Sequence, residues 1–387
     1  MCKKITSLIL VGLLIVGSFS ACGNSVKAEW AKNEVGVFEG EIEGVDFVIN
    51  IPEGKDIKIL QLTDTQLCDP SKARNETRVS QLAGAYYADG ITKFQLKTGG
   101  YIRPIVENVK PDLIVLTGDI VYGETDDSGE DLLKMIEHMD SYKIPWAATW
   151  GNHDNESAKG VKWQCEQLEK SEYCVFKRGN VTGNSNYNIV LRQGGEIKYI
   201  AYMLDTNGCR EVDNPGEGIM PDNIDIAEIQ QQAGIYPDQI QWFSDTNKTI
   251  ANLAKKKTVE SLVFFHIEPA QYYQACVEQY GYNDHMSKLD LTNPGDFGTL
   301  YDGVSPHGVD QSGDFFNAAK AAGTTGMFFG HEHDNDGSLV YDGIRLTFGS
   351  KTGTHTFYRA EQIGGTVITI GAKDNAMNVR HVKNIDL

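Results

Sequence analysis

The sequence predicts an α/β fold in which sheet layers are covered by helices, and three observations carry that prediction. From Val45 onward, apolar β-rich runs alternate with stretches of helical period. Five polar blocks interrupt the pattern: Asp64-Thr65-Gln66, Gly118-Asp119, Gly151-Asn152-His153-Asp154, His266 and Gly330-His331-Glu332-His333. Four of the five directly follow an apolar run, in KILQLTD, LIVLTGD, SLVFFH and GMFFGH, while PWAATWGNH fits more loosely. Functional residues of open α/β sheets lie just beyond the carboxyl ends of the strands, which is where these blocks fall.

Taken in order, Asp56–Leu62 and Asp112–Leu116 read as strands, Glu130–Tyr142 as a helix and Pro145–Trp150 as a strand. Lys198–Leu204 is a strand, Asp238–Lys256 a helix and Ser261–Phe265 a strand. Asp314–Ala322 reads as a helix stopped by Gly323, and Gly326–Phe329, Ile344–Phe348 and Thr366–Ile370 as strands. Two helices can be checked by period. Leu132, Leu133, Ile136 and Met139 are expected on one face, as are Ile240, Phe243, Ile250 and Leu253. Asp238 is expected to accept hydrogen bonds from the first amides of its helix. Three inserts rich in Gly, Asn, Asp and Tyr (67–103, 206–237 and 268–312) leave strand ends near the polar blocks and are expected to form a rim.

At 387 residues, with 41% hydrophobic and 23% charged side chains, the chain has the balance of a globular protein. Its net charge of −18 opposes a polyphosphate backbone, so nucleic acid is not expected as a partner. Lys255-Lys256-Lys257 is the one dense basic run, at a helix end where cations complement the macrodipole.

The N-terminus reads as an export signal over residues 1–21: Lys3 and Lys4, an apolar stretch Ile5 to Phe19, then Ser20-Ala21-Cys22. The context of Cys22 resembles a bacterial lipoprotein box, although Phe19 stands where Leu is usual. It implies lipid anchoring on the outer side of the cell membrane, whereas cleavage after Ala28 would give a soluble secreted protein. Residues 22–44 then read as a tether and 45–387 as one domain. Removing residues 1–21 takes away two lysines and no acids, leaving a charge of −20. Of the five later cysteines, Cys165 and Cys174 could pair in an oxidising compartment, or all could be buried thiols.

Singly, each polar block reads as a turn or loop. Together they supply carboxylates, an amide and imidazoles, the donor set suited to a pair of divalent or trivalent metals. The ordered set resembles the calcineurin-like metallophosphoesterase superfamily, nearest its purple-acid-phosphatase-like branch, on KILQLTD, KPDLIVLTGDIV, WGNHD, YMLDT, FFHIEPAQY, FFGHEHDND and GSKTGTHTFYRAE. That resemblance implies a four-layer α/β/β/α sandwich of two mixed β-sheets flanked by helices.

It also implies two metal ions (Mn, Fe or Zn) with Asp119 bridging them. Asp64 and His333 hold the first, with Gln66 added as a weak donor through its oxygen or through water. Asn152, His266 and His331 hold the second. His153 is the group that steadies the transition state or protonates the leaving alkoxide. The implied reaction is in-line attack of a metal-bridging hydroxide on a phosphate monoester of a small substrate. Alternatives are a phosphodiesterase on nucleotides or lipid head groups, and a surface binding lipoprotein with a degenerate site. Gln66 stands where the superfamily usually has His, so looser first-metal occupancy and a tilt toward harder ions are expected. Asp154 and Asp336 are candidates to orient imidazoles. Lys351 and His355 are candidates to meet substrate phosphate, and Asp205 and Asn207 are near the rim without a role. Oligomeric state is left open by the sequence.

Overall fold

Largely apolar strands of four to eight residues form the centres of two mixed sheets in the computed structural model. The structure describes residues 29–32, 44–74, 76, 101–209, 213, 231–283, 285–301, 303–354 and 358–387. The export segment 1–21, Cys22 and His355 lie outside these residues. Strands β1 to β5 are Glu29–Lys32, Phe47–Ile51, Ile57–Leu62, Leu113–Thr117 and Trp146–Thr149. Strands β6 to β10 are Tyr187–Gln193, Glu196–Met203, Ser261–Phe264, Leu289–Asp290 and Thr299–Leu300. Strands β11 to β15 are Thr324–Phe329, Ser338–Tyr341, Ile344–Phe348, Gly364–Ile370 and Met377–Lys383. Helices α1 to α6 are Ile102–Val109, Glu130–Asp140, Gly160–Lys170, Pro237–Leu253, Ala270–Tyr280 and Asp314–Ala322.

One sheet has the order β1-β2-β6-β7-β8-β11-β13-β12 and the other β15-β14-β3-β4-β5. In the first, β7, β8, β11 and β13 run parallel to one another; in the second, β3, β4 and β5 do. Period-2 alternation assigns each face of the larger sheet to a different core. On β2, Phe47, Ile49 and Ile51 join the core shared with the smaller sheet and α1, α2 and α3, while Val48 joins the core with α4, α5 and α6. Strand β8 repeats this, with Leu262 and Phe264 inward and Val263 under the second helix layer. The layers are therefore helix, five-stranded sheet, eight-stranded sheet, helix, as expected.

Several local expectations are corrected. Leu132, Ile136 and Met139 are buried on α2, but Leu133 is 44% exposed and Met135 takes its place. Adjacent helical residues point about 100° apart, so Leu132 and Leu133 cannot share a narrow stripe. Leu253, at the last turn of α4, is likewise exposed. Tyr236 is the N-cap of α4, its N–H donating to Gln239 Oε1 with Pro237 opening the helix, and Asp238 Oδ1 accepts from the Gln239 N–H at 3.0 Å as expected. Its Oδ2 also accepts from the Thr182 N–H and hydroxyl on a neighbouring loop. Glu29–Lys32, read as part of the tether, adds an edge strand to β2 through backbone pairing that needs no particular side chains. The segment 268–312, read as an insert, contains α5 and the short β9–β10 pair. Cys165 and Cys174 are separate buried thiols. Among the described residues no helix is long and apolar enough to cross a membrane.

Candidate metal centre

Parallel neighbours bring their C-terminal ends to one edge, and that edge collects the polar blocks. Asp64 and Gln66 follow β3, Asp119 follows β4, and Asn152 and His153 follow β5. From the other sheet, His266 follows β8, His331 and His333 follow β11, and Lys351 follows β13. Within each sheet the loops of neighbouring strands are zipped together. Asp64 N–H donates to Gly118 O and Gln66 N–H to Asp119 O, while Gly330 N–H reaches His266 O.

Asp64, Gln66, Asp119 and His331 all sit at positive φ (50°, 40°, 48° and 78°). Such backbone costs of the order of 1–3 kcal/mol at a non-glycine residue and persists only where surrounding contacts over-determine it. Two glycines make the approach possible. A Cβ on Gly151 would lie 2.2 Å from Asp119 Oδ1, and one on Gly330 would lie 2.3 Å from Asp64 Oδ2.

Two donor groups share Asp119. In one, Asn152 Oδ1 is 3.1 Å from His266 Nε2 and 3.1 Å from His331 Nδ1, and His266 Nε2 is 3.3 Å from Asp119 Oδ1. In the other, ligand atoms of Asp64, Asp119 and His333 all lie within 4.8 Å of one another, with His333 Nε2 3.4 Å from Asp64 Oδ1. His266 Nδ1 donates to Thr117 O at 2.8 Å, which leaves the Nε2 lone pair aimed at the first group. Carboxylate, amide oxygen and imidazole are the donor chemistry of divalent transition ions, so these residues fit metal.

The electrostatics match. Burial opposes charge on Asp64, but the His333 hydrogen bond and the nearby imidazoles and ammonium outweigh it and hold the carboxyl at about 2. Asp119 is likewise held well below the usual range, against burial, by His266 and His153. Burial also opposes charge on His266, yet Asp119 raises it to about 10, a proton that a bound cation would displace. Burial, with His266 adding to it, lowers His331 to about 3, so its ring is neutral and able to ligate.

His153 lies beside these groups. Its backbone N–H donates to Asp119 Oδ1 at 2.9 Å, its Nδ1 meets Glu156 Oε2 at 2.9 Å, and its ring stacks on Tyr122 at 4.4 Å. The expected orienting role of Asp154 thus falls to Glu156, three residues further on, a spacing visible in Asn-His-Asp-Asn-Glu. Asp154 accepts from the Val121 and Gly151 N–H groups and ties the loops instead. Asp336 does not orient a donor imidazole either; its carboxylate takes the Thr299 N–H and Lys383. Asp205 holds its own loop through Asn184 N–H and Asn207 N–H.

Gln66 and Lys351 depart from the sequence reading. Gln66 presents its NH2 to Asp119 Oδ2 at 2.9 Å, and its oxygen accepts from Lys351 Nζ at 3.3 Å. Lys351, a candidate to meet substrate phosphate, is 1% exposed and also donates to Asp64 O at 2.8 Å. It is drawn inward because the chain after β13 runs beside Thr63, with Thr352 N–H on Thr63 O. Sequence reasoning also missed Glu268, two residues after His266. It is buried beside His331 and Glu332, with Oε2 lacking a hydrogen-bond partner and its pKa raised by burial and by Glu332.

A family model described as calcineurin-like phosphoesterase matches residues 57–335. The chain is 25% identical over 283 residues to the Arabidopsis thaliana protein named probable inactive purple acid phosphatase 28, covering 68% of this chain and 64% of that one. It is 29% identical over 232 residues to phosphatase DCR2 of Saccharomyces cerevisiae, covering 57% of this chain and 36% of that one. The chain therefore spans between about a third and two thirds of the length of these curated relatives. A solved dimetal phosphatase from Danio rerio has the same fold, with a TM-score of 0.50 and 12% identity over 85% of this chain and 96% of its own.

Proposed function

This chain belongs to the calcineurin-like phosphoesterase family, and from that premise we propose that it is an exported two-metal phosphoric ester hydrolase acting on a small phosphate monoester. The observation that carries the reading is Asp119 standing in both donor groups, with Asn152, His266 and His331 on one side and Asp64 and His333 on the other. Bound there, two ions would acidify a water and clamp phosphoryl oxygens during in-line displacement. Asp119 would hold both ions, and the His153 N–H and the Gln66 NH2 fix its two oxygens. Glu156 and Tyr122 lock the His153 ring, so that its Nε2 gives the proton to the departing alkoxide. No phospho-enzyme is needed, and no nucleophilic Ser or Cys belongs to the donor groups.

Metal-stripped full-length protein reloaded with Mn, Fe or Zn should hydrolyse 4-nitrophenyl phosphate faster than its bis ester, and a chelator should abolish turnover. Faster turnover of the bis ester would instead select a phosphodiesterase. His153→Ala should keep both ions and lower kcat about 100-fold to 10,000-fold, the usual worth of a positioned acid. Two ions bound with no turnover of either ester would end the hydrolase reading. It would favour a binding protein, a second reading that gains support from Gln66 facing Asp119 with its NH2. Lipid anchoring through Cys22 rests on the N-terminal residues. It predicts detergent-phase recovery in a Triton X-114 partition, and aqueous recovery would exclude it.

A further inference from the structure

We propose that Gln66 is not a ligand of the first metal but one half of a lock with Lys351, and that Lys351 makes the first ion the weaker and exchangeable one. The inference rests on the two-metal reading. Gln66 and Lys351 are 0% and 1% exposed, so both are closed off from bulk solvent. A buried ammonium has three donors and no acceptor, and Lys351 Nζ directs two of them at Asp64 O and Gln66 Oε1. That contact orients the amide. Turned over, it would set its NH2 against an ammonium and its oxygen against the Asp119 carboxylate. As oriented, the NH2 grips Asp119 Oδ2, and an amide nitrogen in that role has no lone pair for a cation.

Two consequences follow for the paired ions. The first group is left with Asp64, Asp119 and His333, while the second has Asp119, Asn152, His266 and His331. The first group also faces the Lys351 ammonium, whose Nζ is 2.8 Å from Asp64 O, in a buried site where like charges repel strongly. The lock serves the bridge as well. With Gln66 on one oxygen and the His153 N–H on the other, Asp119 is held in place whether one ion or two are bound.

Two measurements test this, both on the full-length protein. Calorimetric titration of metal-stripped protein with Mn2+ should show two steps, the weaker at least tenfold above the tighter in Kd. Lys351→Met should tighten the weaker step at least tenfold, and Lys351→Arg should leave the gap in place. An unchanged gap in folded Lys351→Met overturns the role given to its charge. Lys351→Met removes buried donors and can fail to fold, so the second measurement uses the unaltered chain. A manganese-loaded crystal structure should show Gln66 Oε1 still on Lys351 Nζ, far beyond the coordination distance of roughly 2.2 Å. Gln66 oxygen at that distance from an ion overturns the lock while leaving the two-metal reading intact. No ion among Asp119, Asn152, His266 and His331 ends the two-metal reading, and the lock with it.

Discussion

Asp119→Asn will strip the centre of at least one ion and lower kcat/KM at least about a thousandfold, or about 4 kcal/mol of transition-state stabilisation. The substitution barely changes volume, so the fold has no reason to fail. What it removes is the charge that both donor groups share, together with one of two acceptor oxygens. Asp119 Oδ1 serves the His153 N–H and His266 Nε2, and Oδ2 serves the Gln66 NH2. An amide side chain cannot accept on both sides, so either Gln66 or His266 loses its partner. Metal content by mass spectrometry and steady-state kinetics, with circular dichroism to confirm folding, check this. Two ions retained with activity within tenfold of the unaltered protein would mean that Asp119 does not bridge.

Gly151→Ala is expected to damage the centre about as badly without touching a donor atom. The new methyl would meet Asp119 Oδ1 at 2.2 Å and the Asp119 backbone nitrogen at 2.4 Å. Backbone on one side and a packed carboxylate on the other cannot both yield. Overpacking of this kind costs about 1–3 kcal/mol where side chains alone can shift. Here relief requires Asp119 to leave its place between the two donor groups. Activity should drop at least about a hundredfold with metal content reduced. A variant melting within about 2 °C of the parent and binding two ions would refute the close approach.

Much of the site was legible because its residues are placed by local structure. A strand end is announced by the apolar run before it, as in KILQLTD and LIVLTGD, and parallel strands necessarily finish on the same edge. Hence Asp64, Asp119, Asn152, His266, His331 and His333, spread over the chain, were readable as one group. Helices α2 and α4 were legible from their period and α6 from the Gly323 that stops it, and α6 matches residue for residue. The outer strand β15, only two of whose seven residues are buried, carries no strong apolar run, and neither does the tether segment that became β1. Helix α5 was hidden because its polar and aromatic residues show only a shallow apolar stripe inside a segment that otherwise reads as loop.

The sequence by itself determined the fold class, the family resemblance and the types of donor available, because strand and helix periods and the short polar blocks are local properties of the chain. Tertiary structure alone decided how those donors are held. Lys351 lies 285 residues from Gln66, and only the chain after β13, running beside Thr63, brings its ammonium against that amide. Glu156 rather than Asp154 holds His153, because the Asp154 carboxylate is already spent on two backbone N–H groups. Which atom of an amide or imidazole faces a cation is set by the partner on its other side, and that partner is chosen by packing between sheets rather than by neighbours in the chain.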